Sequence, residues 1–195
     1  MRIVSGEFGG RPLKAVPGDA TRPTTDKVKE AIFSMIGPYF DGGRSLDLYA
    51  GSGGLSIEGV SRGLDEAVLV DRQFAAIKTI NDNIAVTKAP EKFTVIKSTA
   101  DAAIQRLMGS TPFDVLYFDP PYAKQTILAD LAKLQAANLI APDAVVVAET
   151  DQFANLPEDI PGFSFIKQKD YGITVVTLYQ YEGSKYASGI VSRKF

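Results

Sequence analysis

An α/β fold built on a mostly parallel sheet is predicted by three observations. Apolar, strand-like runs alternate with helical patterns between residues 45 and 149, as βαβ units require. One run, Leu46-Asp47-Leu48-Tyr49-Ala50, breaks directly into Gly51-Ser52-Gly53-Gly54, a junction where backbone can close on a ligand because no Cβ intervenes. The end of the chain then changes period: FSFIKQ and TVVTLYQY flank Lys169-Asp170-Tyr171-Gly172-Ile173, which predicts a β-hairpin with Gly172 in its turn rather than another βαβ repeat.

The elements follow in order. Residues 2–16 contain two short β-rich runs, RIVSGEF and RPLKAV, around Gly9-Gly10, and predict a small N-terminal β-hairpin. Pro23-Thr24-Thr25-Asp26 carries helix-start chemistry, and Val28, Ala31, Ile32, Met35 and Ile36 recur with helical spacing until Gly37-Pro38 stops them, giving a helix over 26–36. Strands are predicted at 45–49, 67–71, 93–97, 115–119 and 145–149, and helices at 55–62, 74–85, 102–108 and 126–135, with Gly63, Pro90 and Pro112 as punctuation. A single domain is expected over 1–182, with an extension at 1–40 preceding a core at 41–182. The last segment, EGSKYASGIVSRKF, has no sustained apolar period and carries Lys185, Arg193 and Lys194, so a flexible basic tail is expected over 183–195.

Composition narrows the chemistry. At 195 residues and 45% hydrophobic, the chain has the size and apolar content of one domain with a sizeable core. It contains no cysteine and no histidine, which removes disulfides, zinc sites, thiol nucleophiles and imidazole bases together. Carboxylates, lysines, hydroxyls, backbone groups or a cofactor must carry any reaction, and no metal is implied. No apolar stretch approaches the roughly 20 residues that cross a bilayer, and MRIVSGEFGG lacks the apolar run and cleavage site of a signal peptide. A cytoplasmic protein without membrane contact is expected. The net charge of −2 argues against an indiscriminate nucleic-acid binder but allows a local basic face.

The glycine run is either a nucleotide-type cradle or a tight structural turn, and the dinucleotide pattern G-x-G-x-x-G fails at Ser56. Its candidate cofactor contacts are Asp47, Ala50, Gly51, Ser52 and Gly53. Asp71 ends the next strand, 20 residues after Gly51, the spacing at which a carboxylate can accept from adenosine ribose hydroxyls; read by itself it could equally be a solvated helix cap. NAD also suits a glycine loop followed by an acid. The closing hairpin, together with a second carboxylate at Asp47 able to face a cationic amino-acid portion, favours S-adenosylmethionine.

Asp119-Pro120-Pro121-Tyr122 follows the buried strand-like run Val115-Leu116-Tyr117-Phe118, the end that faces the crevice in open α/β sheets. Two prolines fix φ and remove backbone donors, leaving rigid acceptors. The exocyclic amine of a purine is a poor nucleophile because its lone pair is conjugated. Acceptors on both N–H bonds, the Asp119 carboxylate and the Pro120 carbonyl, would favour a pyramidal nitrogen and expose that lone pair. Tyr122 offers a surface on which an extruded base could stack. The plainer alternative is that the prolines end a strand and the tyrosine covers the core edge.

Taken together, RPTTDKVKEAIF, LDLYAGSGGLSIEGVSRG, VLVD and YFDPPY resemble the RsmD family of bacterial methyltransferases acting on guanine N2 in small-subunit (16S) rRNA, over residues 2 to about 181. The resemblance implies a Rossmann-like class I S-adenosylmethionine-dependent fold, with a seven-stranded sheet whose last strand is antiparallel. It assigns Asp47, Gly51, Gly53 and Asp71 to the cofactor and Asp119 to Tyr122 to the target amine, and it places Thr99, Ala100 or Asp101 beside adenine. Lys27 and Lys29 stand where the family usually has arginines, which keeps charge but loses bidentate phosphate recognition. Gln73 stands where a second acid is common.

Arg2, Arg11, Lys14, Arg22, Lys27 and Lys29 concentrate ahead of the sheet and are the candidate RNA contacts. The expected substrate is 16S rRNA, naked or in an assembling small subunit, and the chain is expected to act as a monomer. Two alternatives remain. A DNA adenine-N6 methyltransferase shares D-P-P-Y, although so short a chain leaves little room for a target-recognition domain. A non-catalytic RNA-binding module would require D-P-P-Y to be vestigial.

Overall fold

The computed structural model describes residues 1–18, 23–121 and 123–183. Among them, seven strands form one sheet: β1 (Arg44–Asp47), β2 (Glu66–Asp71), β3 (Phe93–Lys97), β4 (Phe113–Phe118), β5 (Ile140–Thr150), β6 (Phe163–Asp170) and β7 (Val175–Tyr181). Their order is β3-β2-β1-β4-β5-β7-β6. β1 to β5 run parallel, and β7 enters antiparallel between β5 and β6. The predicted fold class is therefore present, including the C-terminal hairpin, whose turn closes through Tyr171 N–H to the Thr174 carbonyl at 2.8 Å.

Strand alternation divides the core. The even-numbered residues Leu46, Val68, Leu116 and Val146 pack with α4 (Ala100–Leu107) and α5 (Ala123–Ala136). Leu69, Val115, Tyr117 and Val147 face the other way, against α1 (Asp26–Ile36), α2 (Gly54–Ser61), α3 (Phe74–Thr87) and the N-terminal segment. Both faces are covered, so the central strands read as continuous apolar runs rather than as alternating ones.

Helix α1 has the predicted bounds, and the Thr25 hydroxyl caps it by accepting from Val28 N–H at 3.2 Å. Other boundaries moved. Helix α5 begins three residues before its predicted start, immediately behind the proline-rich turn. Strand β5 begins at Ile140 rather than 145 because the register against β4 shifts between Phe113 and Val115. Such an irregularity accommodates Pro142, which has no N–H for a ladder and therefore reads as a break in the sequence.

The predicted N-terminal hairpin is present in a minimal form. Its arms pair through the antiparallel Arg2–Pro12 bridge and three backbone hydrogen bonds, Leu13 N–H to the Met1 carbonyl at 2.8 Å, Ile3 N–H to the Arg11 carbonyl at 2.9 Å and Gly10 N–H to the Ile3 carbonyl at 2.7 Å. Between them the backbone bonds to α2 instead: Val4 and Ser5 N–H donate to the Glu58 carboxylate at 2.8 and 3.1 Å, Glu7 N–H to the Ser61 carbonyl at 2.8 Å, and Phe8 N–H to Ser61 Oγ at 3.0 Å. Gly6 permits this approach, since a Cβ there would lie 1.9 Å from the Ser61 carbonyl oxygen. Ile3, Phe8 and Leu13 then bury themselves in the α1–α2 side of the core.

Glu58 anchors that arrangement. It is fully buried, and besides the two amides it pairs with Arg62 Nε at 2.9 Å and Lys29 Nζ at 3.4 Å. Lys29 also donates to the Arg2 carbonyl at 2.5 Å. Burial holds the Lys29 ammonium below its usual range despite the adjacent carboxylate. Every polar group in this cluster has a protein partner, as burial of charge demands.

Candidate active site

At the carboxyl ends of the parallel strands, four carboxylates converge on one face of the sheet. In the ladders Asp47 sits beside Leu69 and Tyr117, and Tyr117 beside Val147. Asp71, Asp119 and Glu149 each lie two residues farther along, on the same side of the pleat. All four line one cavity of about 690 Å³, a size suited to a cofactor-sized ligand.

The glycine loop forms one wall. Ala50 N–H continues the sheet by donating to the Val70 carbonyl, and Gly53 N–H returns to the Ala50 carbonyl at 2.8 Å. Gly53 has a φ of +81°, and a Cβ there would meet Leu69 and Ile80, so it sets the turn from behind and does not line the cavity. Gly51 has a φ of +58°, and nothing lies within 4 Å of where its Cβ would be, which leaves its open face to the cavity. Ala50 and Ser52 line the same wall, and the first turn of α2 has no side-chain cap, so backbone N–H groups remain for a ligand. The buried Asn83 amide holds the loop from outside by donating to the Ser52 and Lys14 carbonyls at 2.8 and 2.9 Å.

Asp71 is fixed from both sides: Gly51 N–H donates to Oδ2 at 3.0 Å and Gln73 N–H to Oδ1 at 2.9 Å. Asp47 is buried, and among the described residues its one hydrogen bond comes from Tyr49 N–H at 3.0 Å. Burial holds its carboxyl well above the usual range, and the neighbouring carboxylates add to this. Thr99 and Ala100 line the cavity at the start of α4, where Thr99 Oγ1 is already committed as the helix cap to Ala102 N–H at 3.2 Å. Asp101, beside them, pairs with Lys133 at 2.6 Å across the rim.

The proline-rich turn closes the opposite side. Asp119 and Pro121 line the cavity, while Pro120 is buried behind them and Tyr122 lies outside the described residues. Among the described residues no hydrogen bond is donated to Asp119, whose carboxyl is pushed up to about 6 by the desolvating walls around it.

Two carboxylates escaped the sequence reading. Glu149, one residue before the end of β5 and next to Asp119, is 5% exposed and accepts from the Thr24 hydroxyl at 2.9 and 2.7 Å to its two oxygens. Burial, then Asp119, push its carboxyl up to about 7. Asp130 of α5 accepts from Tyr49 Oη at 2.6 Å on the cavity wall. An acidic residue closing an apolar strand was the available signal for Glu149, the same one that marked Asp71 and Asp119.

The candidate RNA cations separate. Lys14 and Lys27 are exposed, and Arg2 is 62% exposed in a loose pair with Asp26 at 3.6 Å. Arg11 donates to the Val86 and Thr87 carbonyls at 3.1 and 2.9 Å, which caps the end of α3. Lys29 is corrected: 1% exposed and paired with Glu58, it belongs to the core and to the cavity wall rather than to a phosphate-facing surface. Arg22 lies outside the described residues. No helix among the described residues is long and apolar enough to cross a membrane.

The chain is similar to known proteins over most of its length. "Putative rRNA methyltransferase YlbH" of Bacillus subtilis (strain 168) is 44% identical over 94% of this chain and 100% of its own length. Ribosomal RNA small subunit methyltransferase D of Escherichia coli (strain K12) is 29% identical over 93% of this chain and 90% of its own. A solved structure, a conserved hypothetical protein of Streptococcus pyogenes, superposes with a TM-score of 0.75 at 51% identity, covering 80% of this chain and 96% of that one. Residues 1–180 match the family described as conserved hypothetical protein 95, and the chain therefore belongs to that family, the RsmD family of methyltransferases.

Proposed function

We propose that this protein is an S-adenosylmethionine-dependent methyltransferase that modifies the N2 amine of a guanine in small-subunit rRNA. One observation carries this reading: the Asp119-Pro120-Pro121 turn and the Asp47–Gly51–Asp71 wall face each other across a single cavity. The relatives named as rRNA methyltransferases supply the substrate class.

The residues fit the cofactor. The buried Asp47 carboxylate suits an ammonium, and the uncapped amides opening α2 suit a carboxylate, the two ends of an amino acid. Asp71, oriented by two backbone donors, keeps lone pairs for ribose hydroxyls. Thr99, Ala100 and Asp101 border the space left for adenine. When bound, S-adenosylmethionine supplies an electrophilic methyl on its sulfonium.

The protein's own task is to present the amine. Asp119 accepts one N–H of the target, and the Pro120 carbonyl takes the other, which draws the nitrogen toward a pyramidal geometry with its lone pair free. Attack of the amine on the methyl would form the N–C bond as the methyl's bond to sulfur breaks, leaving a neutral thioether and a cationic nitrogen, and Asp119 would take the proton that the nitrogen must then lose. A carboxyl near 6 is ionised at neutral pH yet basic enough to accept that proton.

The test is transfer of labelled methyl from S-adenosylmethionine to rRNA, unmodified small ribosomal subunits and DNA, followed by digestion to nucleosides. N2-methylguanosine from the RNA substrates alone is expected. N6-methyladenine in DNA would replace this reading with the adenine alternative, and tight cofactor binding without transfer would leave a binding module.

A further inference from the structure

We infer that Glu149 reads the N1–H of the target guanine and so makes the site reject purines whose N1 is an acceptor. This rests on the function proposed above and concerns how the same site selects its base.

Glu149 sits one residue past Ala148, and Asp119 one residue past Phe118, the last paired residues of the β4–β5 ladder. The two residues are therefore neighbours on adjacent strands, whose backbones lie about 5 Å apart in the hydrogen-bonding direction. Glu149 is buried except where it lines the cavity. Among the described residues its only hydrogen-bond donor is the Thr24 hydroxyl, a single proton shared between two oxygens. A carboxylate offers about four acceptor sites, so most of this group's capacity is unspent. Buried polar groups are normally satisfied, and a vacancy aimed into a ligand cavity implies a donor on the ligand.

Donor and acceptor patterns then identify the ligand edge. Guanine presents three donors along one edge, the two N2 hydrogens and the adjacent N1 hydrogen. Asp119 lines the cavity as one acceptor, the Pro120 carbonyl is the second under the function proposed above, and Glu149 lines the cavity as the third. With the amine held by the first two, the ring nitrogen next to it falls toward Glu149. Adenine held by its N6 amine would instead turn an N1 lone pair toward Glu149, leaving two acceptors facing each other in a desolvated site. Sites that hydrogen-bond a substrate donor reject analogues lacking it far more strongly than apolar pockets reject a change of size. Thr24 fixes the Glu149 rotamer and ties it to the segment entering α1.

The experiment compares guanine with 2-aminopurine, which keeps the 2-amino group but has an acceptor at N1. The guanosine identified by the labelling assay is replaced by 2-aminopurine in rRNA rebuilt by ligation and assembled into small subunits. Single-turnover methyl transfer is then measured for the wild type and Glu149→Gln. The wild type is expected to prefer guanine at least a hundredfold. Glu149→Gln is expected to shrink that preference below tenfold, because its amide can donate to N1, while S-adenosylmethionine affinity stays within twofold. A Glu149→Gln enzyme that keeps the full preference, or a wild type that methylates both bases equally, would overturn the inference while leaving the guanine assignment intact. A wild type that makes no N2-methylguanosine would instead overturn the underlying function, and the inference with it.

Discussion

Glu58 and Glu149 are both buried glutamates, and their surroundings are opposite. Glu58 accepts from two backbone amides and pairs with Lys29 and Arg62, so its charge is neutralised within the protein. Glu149 has one hydroxyl for a partner and another carboxylate, Asp119, for a neighbour. The first arrangement joins three segments of the chain into one core. The second stores electrostatic repulsion at the mouth of a cavity, where only an incoming donor can relieve it. Buried charge alone thus says little about role, and the sign and source of its partners say a great deal.

The largest effect tests the under-partnered side. Asp119→Ala is expected to lower methyl transfer about a thousandfold or more, the scale at which acceptors and proton carriers contribute. Its thermal stability at pH 7.5 should match that of the wild type, because Asp119 is exposed at the cavity and accepts no hydrogen bond among the described residues. An active variant, or one that fails to fold, would remove Asp119 from the contrast.

On the fully partnered side the outcome is reversed. Glu58→Ala leaves Lys29 and Arg62 buried without their anion and two amides without an acceptor. A loss of about 3–5 kcal/mol is expected in denaturant unfolding. A loss under about 1 kcal/mol would show that the cluster is not what holds the N-terminal segment down.

A pH series separates the two glutamates directly. The Glu149 carboxyl rises from an ordinary 4.5 to about 7 on folding. Its contribution to stability is complete below about pH 4.5 and is lost as pH climbs through 7. Glu149→Gln should therefore match the wild type near pH 4.5 and exceed it at pH 8 by on the order of 2 kcal/mol in urea unfolding. A variant less stable than the wild type at pH 8 would mean that the pair is satisfied in a way the geometry does not show.

The contrast between the glutamates also explains what the sequence disclosed. The sheet was legible because its strands are buried on both faces and each is followed by a helix-forming pattern. The glycine-loop wall of the cavity was legible because glycine after a strand and a carboxylate at a strand end are local signals. Glu149 closes its strand as Asp71 does, yet no glycine run or proline pair stands beside it, so nothing in the sequence separated it from an ordinary strand terminus. Lys29 misled because a lysine between helix-start residues looks solvated. Its burial depends on Glu58, 29 residues away and on another helix. The N-terminal hairpin is shorter than its sequence reads for a similar reason: its arms pair locally, but the acceptors on α2 that hold residues 4–8 lie far along the chain.

The smallest expected effect on stability comes from charges that neither glutamate touches. Lys14 is 74% exposed, with Asp82 at 3.5 Å, and Lys27 projects from the exposed side of α1. Screening makes such groups nearly neutral for folding, so Lys14→Glu with Lys27→Glu should change stability by less than about 0.5 kcal/mol. Their position is informative all the same. The Lys14 backbone is clasped by Asn83, whose side chain also holds the Ser52 carbonyl of the glycine loop, and Lys27 follows the segment whose Thr24 holds Glu149. Both cations therefore stand on segments bonded to the cavity wall without lining the cavity themselves, and we propose that an RNA backbone passes along them. The double variant should bind small-subunit rRNA more weakly and lower the slope of log affinity against log salt by about 1–2, with S-adenosylmethionine affinity unchanged. An unaltered slope would place the RNA path elsewhere on the surface and leave these lysines as ordinary solvated charge.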